Sequence, residues 1–409
     1  MYTRQVKLHP SAADLVLVNT AVEKLKLIVK DLNEIFPERE FMLLQLMYAL
    51  LTKEHTLIYG PHGTGKSDLL STLFTAVTGA KIFAIGMSKF MPEGYIIGAA
   101  DPTILKDTGK FYHRPEGTLI DCHFADLDEF FDANPALQRV MLGILNERKF
   151  IRGSQEENAL LQTAAASTNA EPDVQVAQFP ELAAVVDRFL FHSVAKYLSV
   201  EDNQVRMLRH YLEGTTPTTK MNLAELMTVS DIVVLSNQIT DETFIRVYNK
   251  MIQAYADKLK SLNKKPLSDR RRCKLIQLAE ADALVHGRLE VVLDDLYAVR
   301  YGLCVGGDET TYKAFDDVAK PVIEAAKKDA AQDVDKVQRE LLLALKADIP
   351  AIPAQCSSGD LVDLAKALTA VRAKVDAVKP AVKTTDDQKA AILREIDAAT
   401  KTVHGRIFS

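Results

Sequence analysis

Gly60-Pro61-His62-Gly63-Thr64-Gly65-Lys66-Ser67 fits the pattern GxxxxGK[ST] at every fixed position. The octet follows a short apolar stretch, His55–Tyr59, and opens a helical pattern at Lys66, which is the context the pattern needs. Gly60, Gly63 and Gly65 allow backbone angles that turn successive N–H groups toward one point. The helix start adds its partial positive charge at that point. Lys66 can then reach the outer phosphates of a nucleotide, and the Ser67 hydroxyl can ligate Mg²⁺. A glycine-rich turn before an ordinary helix is the bland alternative, and it has no reason to match all the fixed positions.

Working outward, apolar stretches at His55–Tyr59, Lys81–Ile85, Thr118–Leu127, Asn158–Ser167 and Phe189–Val194 alternate with helical patterns starting at Lys66 and near Pro135. Alternation of this kind predicts an α/β layer on a largely parallel five-stranded sheet. Phosphoryl transfer also needs a carboxylate to anchor the metal and a group to activate water. Asp128-Glu129 ends the third stretch and can supply both, Asp128 for the metal and Glu129 as general base. His123 and Asp126 interrupt that stretch, and Asp126 competes for the metal role. Asn169, after Ser167-Thr168, can orient water; read alone, it is a turn asparagine. Arg188 precedes the last strand and, read alone, is a surface arginine. Arg270 sits in Ser268-Asp269-Arg270-Arg271-Arg272, which by itself reads as solvated charge or a basic patch.

The flanks differ in composition. Residues 10–53 carry helical spacing, with Leu43, Leu44, Leu46, Met47, Leu50 and Leu51 as its densest part. Residues 199–309 show no convincing strand. Val200–Leu212, Leu223–Ser236, Asp241–Leu262 and Asp269–His286 read as helices, with Ser268 as an N-cap. Beyond Gly306-Gly307 the chain is aliphatic and helical. Of 28 aromatic residues only Phe408 lies past Phe315, so the seam is visible in composition. Leu361, Leu364, Leu368, Val371, Val375 and Val378 form one stripe, and Ile392, Ile396, Ala399, Val403 and Ile407 another. Breaks at Pro350–Gly359 and Pro380 predict a hairpin or three-helix packing. Thr385-Asp386-Asp387-Gln388 reads as a capping box for the last helix.

Net charge is −5, which argues against nucleic acid as a default partner. No apolar run has the roughly 18–20 residues that a membrane span needs. No signal peptide pattern opens the chain. Cys122, Cys273, Cys304 and Cys356 are scattered without metal or disulfide spacing and read as reduced thiols. A cytoplasmic protein is the expectation.

Taken in order, Gly60–Ser67, Asp128-Glu129, Asn134-Pro135, Leu145-Asn146-Glu147-Arg148, Ser167-Thr168-Asn169, Asp187-Arg188-Phe189 and Ser268-Asp269-Arg270-Arg271 resemble the AAA+ ATPases, specifically the MoxR family and its RavA-like branch. The resemblance covers roughly residues 30–309. It implies a P-loop αβα core with N-terminal helices over residues 1–198, an all-α lid over 199–309 and a helical extension over 310–409. Asn169 matches the sensor-one position. Arg188 matches an arginine finger acting across a subunit interface, and Arg270 matches the sensor-two arginine of the lid. Met87–Gly117 resembles the family's helix-two insertion, with Pro92, Glu93 and Gly98 in family-like places. Arg148–Gln162, turning at Gly153-Ser154, resembles its pre-sensor hairpin. Such insertions line or approach a central pore in this clade. His123 and Asp126 depart from the aliphatic residues usual there, and residues 310–409 lie outside the likeness.

The resemblance implies ATP and Mg²⁺, a hexameric ring and ATP bound at the seam of core, lid and neighbour. It also implies a chaperone-like action on a protein client, beside a partner with a von Willebrand factor type A domain. Two other expectations stand beside it: a nucleic-acid motor or loader, using Lys264-Lys265, Arg270–Arg272 and Lys274, and a nucleotide-gated scaffold with slow turnover.

Overall fold

The computed structural model describes residues 12–235, 239, 241–303, 309–353, 357–380 and 383–407. Gly306-Gly307, Cys304, Cys356 and Phe408 lie outside the described residues. The chain divides into two compact units, Met1–Lys320 and Pro321–Ser409.

The first unit is built on five strands: β1 (His55–Tyr59), β2 (Ile82–Gly86), β3 (Phe124–Asp128), β4 (Thr163–Thr168) and β5 (Phe189–Val194). They pair in parallel in the order β2-β3-β4-β1-β5. Central β4 is buried at every residue, which is why Ala164-Ala165-Ala166 shows no polar alternation. Phe124 of β3 stacks on Phe74, with ring centroids 5.0 Å apart, fastening the sheet to the helix that follows the phosphate loop.

Two expected strands are shorter than their apolar runs. Thr118–Leu127 is not one strand, because the Thr118 side chain accepts the Ile120 N–H and closes a 3-10 turn over Leu119–Asp121. His123 therefore precedes β3 instead of interrupting it, and its Nδ1 accepts the Lys81 N–H at 2.9 Å. Asn158 belongs to a separate hairpin, Lys149–Arg152 with Gln155–Asn158, and β4 starts only at Thr163. Gly153-Ser154 makes the hairpin turn, with Gly153 at φ 58°.

Helices α1 (Ala12–Ile35) and α2 (Glu40–Thr52) precede the sheet. Helix α3 (Lys66–Thr75) follows the phosphate loop, and α4 (Pro135–Glu147) starts at Asn134, whose Oδ1 accepts the Leu137 N–H at 2.8 Å. Between β2 and β3 an insertion carries two short helices, Gly94–Ile97 and Pro102–Thr108. Gly98 has φ 90°, and a Cβ there would meet the Arg114 carbonyl oxygen at 1.7 Å, so only glycine fits.

Past β5 the chain forms α5 (Glu201–Glu213), α6 (Leu223–Leu235), α7 (Glu242–Ser261), α8 (Asp269–Leu275) and α9 (Gln277–Val285). The expected helix over Asp269–His286 is thus two. A two-residue strand that the pattern does not reveal, Met221–Asn222, pairs in parallel with Val77–Thr78.

Helix α10 (Glu309–Ala347) begins in the first unit and ends in the second, which α11 (Ser358–Ala377) and α12 (Lys383–Ile407) complete. Both aliphatic stripes turn inward: Leu361, Leu368, Val371, Val375, Ile392, Ile396 and Val403 share one core with Leu342 and Leu345. The expected capping box at Thr385 does not form. Helix α12 already starts at Lys383, and the buried Thr385 hydroxyl donates to Asp335 Oδ1 on α10 instead. Among the described residues no helix is long and apolar enough to cross a membrane.

Candidate functional site

In a parallel sheet, ligands bind outside the carboxyl ends of the strands. Here the ends of β1, β3 and β4 deliver the phosphate loop, Asp128-Glu129 and Asn169 to one place. Gly60 has φ 152°, and a Cβ there would lie 2.1 Å from the Ala195 carbonyl oxygen. Its N–H donates to Thr168 O at 3.1 Å, which fixes the start of the loop to β4. Gly63 and Gly65 have φ 72° and 74°, and Gly65 is the N-cap of α3.

The Lys66 ammonium donates to Gly60 O at 2.9 Å, Pro61 O at 3.0 Å and Asn169 Oδ1 at 3.0 Å. Burial lowers its pKa, while the charges of Asp128 and Glu129 oppose that shift. Ser67 Oγ donates to Asp128 Oδ2 at 3.2 Å. The Ser167 hydroxyl and the Glu129 N–H donate to Asp128 Oδ1, the second at 3.0 Å. The Asn169 amide nitrogen donates to Glu129 Oε1. Glu129 itself has φ 51°, an uncommon conformation for a non-glycine residue, and follows the strand end directly. Lys66, Asn169 and Glu129 thus form one chain of hydrogen bonds, with Ser67 and Asp128 beside it.

Asp126 lies two residues before Asp128 and therefore on the same face of β3. It is buried, its Oδ1 has no partner among the described residues, and Ser67 bonds to Asp128 and not to it. Burial, with the charge of Asp128, raises its carboxyl to about 7. Of the two carboxylates, Asp128 is the one in contact with the loop hydroxyl. Ser67 and Asp128 offer hard oxygen donors side by side, the donor set that Mg²⁺ takes.

Several supports of the loop carry no signal in the sequence. Arg39, buried at the start of α2, donates to Thr64 O at 3.4 Å and to Lys196 O. Tyr197 OH donates to His62 O at 2.9 Å. Glu38 accepts the N–H groups of Ser199 and Val200, which lower its pKa to about 2. Together they tie the loop to the segment after β5.

Arg188 and Arg270 go elsewhere. Residue pairing runs from His55 with Phe189 to Tyr59 with Val194, so Arg188 lies at the edge where β1 begins, not where the phosphate loop leaves it. A strand of this length spans on the order of 20 Å. Arg188 donates to Ala184 O, and burial, then the nearby Arg270 charge, lowers its pKa. Arg270 meets Asp187 Oδ2 at 3.5 Å, and the Ser268 hydroxyl donates to Asp187 Oδ1 at 2.8 Å. The two arginines are together, and neither is brought to the phosphate loop of its own chain. The buried neighbour Arg271 donates to Phe189 O at 2.8 Å, Leu190 O at 2.7 Å and Gly302 O at 2.9 Å, locking α8 to β5. Its one sequence cue is Leu275, four residues on and also buried.

Sheet order, insertions and helical region together are those of an AAA+ ATPase core followed by its lid. Residues 23–236 match the family described as the MoxR domain in the MoxR–vWA–beta-propeller ternary systems, and residues 246–311 match the AAA lid domain. The chain belongs to the MoxR family of AAA+ ATPases. It is 27% identical over 328 residues to an uncharacterised protein of Methanocaldococcus jannaschii, covering 80% of each chain. A second uncharacterised protein of that organism is 26% identical over 277 residues, 68% of this chain and 70% of the relative. A crystal structure of a candidate ATPase from Cytophaga hutchinsonii aligns with a TM-score of 0.53 at 18% identity, covering 69% of this chain and 86% of that one. At that identity the likeness concerns the fold.

Proposed function

We propose that this protein is an ATP-hydrolysing motor that acts as a ring and remodels a protein client. The observation that carries this reading is the separation of two half-sites: Lys66, Ser67, Asp128, Glu129 and Asn169 at one edge of the sheet, Arg188 and Arg270 at the other.

The contacts support the following roles. The loop N–H groups from Gly60 to Ser67, Pro61 excepted, cradle the phosphates. Lys66, held by carbonyls and by Asn169, turns to the β- and γ-phosphates when a nucleotide enters. Ser67 and Asp128 would hold Mg²⁺, which when bound neutralises phosphate charge. Glu129 takes the proton of the attacking water, and Asn169 keeps its carboxylate aimed. Arg188 and Arg270 serve the nucleotide of a neighbouring copy, where added positive charge stabilises the transition state. A head-to-tail contact of that kind closes a ring, most simply a hexamer. Its nucleotide then lies between core and neighbour, with Arg270 supplied by the neighbour's lid. Loss of the γ-phosphate removes these contacts and lets neighbouring copies reorient.

The matched family description supports a partner with a von Willebrand factor type A domain, and a β-propeller protein beside it. The finer likeness to the RavA branch rests on the sequence motifs alone. The domain division at residues 198 and 309 and the cytoplasmic setting belong to the same proposal.

Mixing variants tests the split site. Lys66→Ala abolishes ATP binding and Glu129→Gln retains ATP without turnover. Arg188→Ala alone is inactive, while its mixture with Glu129→Gln regains part of the activity through sites that pair one sound edge from each. Full activity of Arg188→Ala in an assembled protein would sink the trans assignment.

A further inference from the structure

Central β4 runs Ala164-Ala165-Ala166-Ser167, and Ser167 is as completely buried as the alanines before it. A buried hydroxyl is costly unless it is hydrogen-bonded. Among the described residues this one makes a single hydrogen bond, to Asp128 Oδ1. The register of the sheet explains the pairing. Asp126 lies opposite Ala165 and Leu127 opposite Ala166, so Ser167 follows opposite Asp128. β4 thus offers a donor to the second of the two carboxylates and only a methyl group to the first. Asp126 Oδ1 accordingly has no partner among the described residues.

The two oxygens of Asp128 are thereby made unequal. Oδ1 accepts the Ser167 hydroxyl and, at 3.0 Å, the Glu129 N–H. Oδ2 meets only the Ser67 hydroxyl among the described residues, at 3.2 Å, on the solvent side. The Glu129 donor is fixed by the backbone; the Ser167 hydroxyl is the one that a side chain supplies. Two donors on Oδ1 leave the carboxylate one oxygen to present. Ca²⁺ gathers roughly six to eight oxygens and takes carboxylates by one oxygen or by both. Mg²⁺ keeps a strict octahedron, retains several waters and takes few protein ligands. A carboxylate held to one free oxygen suits the second ion and handicaps the first.

We propose that Ser167 is a positioning residue that sets the ion preference of the site. By occupying Oδ1 it holds Asp128 to a single presented oxygen and so favours Mg²⁺ over Ca²⁺. This rests on the proposed nucleotide site and names what selects its ion. Removing a group that orients a metal-binding carboxylate lowers metal affinity or activity by about 10–100-fold.

The test reads binding instead of turnover. Full-length Glu129→Gln protein is titrated with mant-ATP in excess Mg²⁺, in excess Ca²⁺ and in EDTA. Adding Ser167→Ala weakens binding in Mg²⁺ about tenfold. Affinity in Ca²⁺ is unchanged or tighter, so the preference for Mg²⁺ shrinks by that factor or more. Affinity in EDTA stays the same, which a general loosening of the sheet would not allow. Ser167→Thr keeps the hydroxyl and retains the parent preference; should its added methyl unfold the sheet, the Ala variant decides alone. An unchanged ratio of the two ions in Ser167→Ala, or equal weakening in both, overturns the proposal. So does a folded Thr variant that behaves as Ala does. Mg²⁺-dependent binding in the parent beside such a result leaves the motor standing. A parent protein that binds mant-ATP no better with either ion than in EDTA overturns both.

Discussion

The two edges of the central sheet are made differently. At the carboxyl edge the polar groups satisfy one another: Lys66 with Asn169, Asn169 with Glu129, Ser67 and Ser167 with Asp128. At the amino edge, among the described residues, Arg188 bonds a single backbone carbonyl and its Nε has no partner, while Arg270 reaches Asp187 at only 3.5 Å. One edge is organised before any ligand arrives; the other holds positive charge in reserve. A buried guanidinium nitrogen without a partner is costly unless another surface satisfies it. On the proposed function, that asymmetry is how a single chain would hold all the groups of a hydrolytic site and still lack the geometry to use them alone.

The largest effect expected from breaking this contrast is at the amino edge. Arg188→Ala should lower kcat by about 10³–10⁵, the range for arginine fingers, with ATP affinity nearly intact. Equilibrium nucleotide binding alongside turnover checks this, and a matching loss of affinity would move Arg188 to the wrong edge. Next, Asn169→Ala should lower kcat by about 10²–10⁴, since it frees both Lys66 and Glu129 at once. A double variant with Glu129→Gln should cost little more than either alone, because the residues act as a unit. At the scale of stability, Leu368→Ala in the second unit should cost about 2–5 kcal/mol. Chemical denaturation should show that loss while turnover stays unchanged, which would separate appendage from motor.

The smallest effect is a pH slope. His192 on β5 is fully buried beside Arg271, and burial lowers its pKa to about 3. A histidine with a depressed folded pKa supports the fold above its unfolded value near 6.5, and that support is lost as pH falls toward 3. Stability should therefore drop between pH 6.5 and 4 by at most roughly 1.4 kcal/mol per pH unit from this group. His192→Gln should flatten the slope of Tm against pH; an unchanged slope would assign the acid sensitivity to His55 or elsewhere.

The octet around Lys66 was legible because its function lies in backbone angles and a helix start, both written locally. β1 and β5 were legible to the residue because both are short apolar-rich runs set off by strong breaks, Lys53-Glu54 and Gly60 around β1 and Asp187-Arg188 before β5. Thr118–Leu127 misled because hydrophobicity does not register a threonine that closes a 3-10 turn. Thr385 misled because a capping box read from sequence assumes a free helix end, and a buried aspartate on another helix competed for the hydroxyl. The roles of Arg39, Tyr197 and Arg271 were invisible for a related reason: each acts on backbone carbonyls of distant segments, and a carbonyl has no sequence signature.

The order of landmarks from Gly60 to Arg271 determined by itself the phosphate loop, the alternating architecture and the family, because these depend on periodicity and on residue types at short spacing. The aliphatic, aromatic-poor end likewise announced a helical unit with its own core. Only the tertiary structure decided which polar residues face one another. It joined Lys66 to Asn169 across 103 positions, preferred Asp128 to Asp126 beside Ser67, and carried Arg188 and Arg270 together to the far edge of the sheet. The reason is geometric: in a parallel sheet each strand's two ends lie on opposite edges, and sequence distance does not tell which end a residue will share with another.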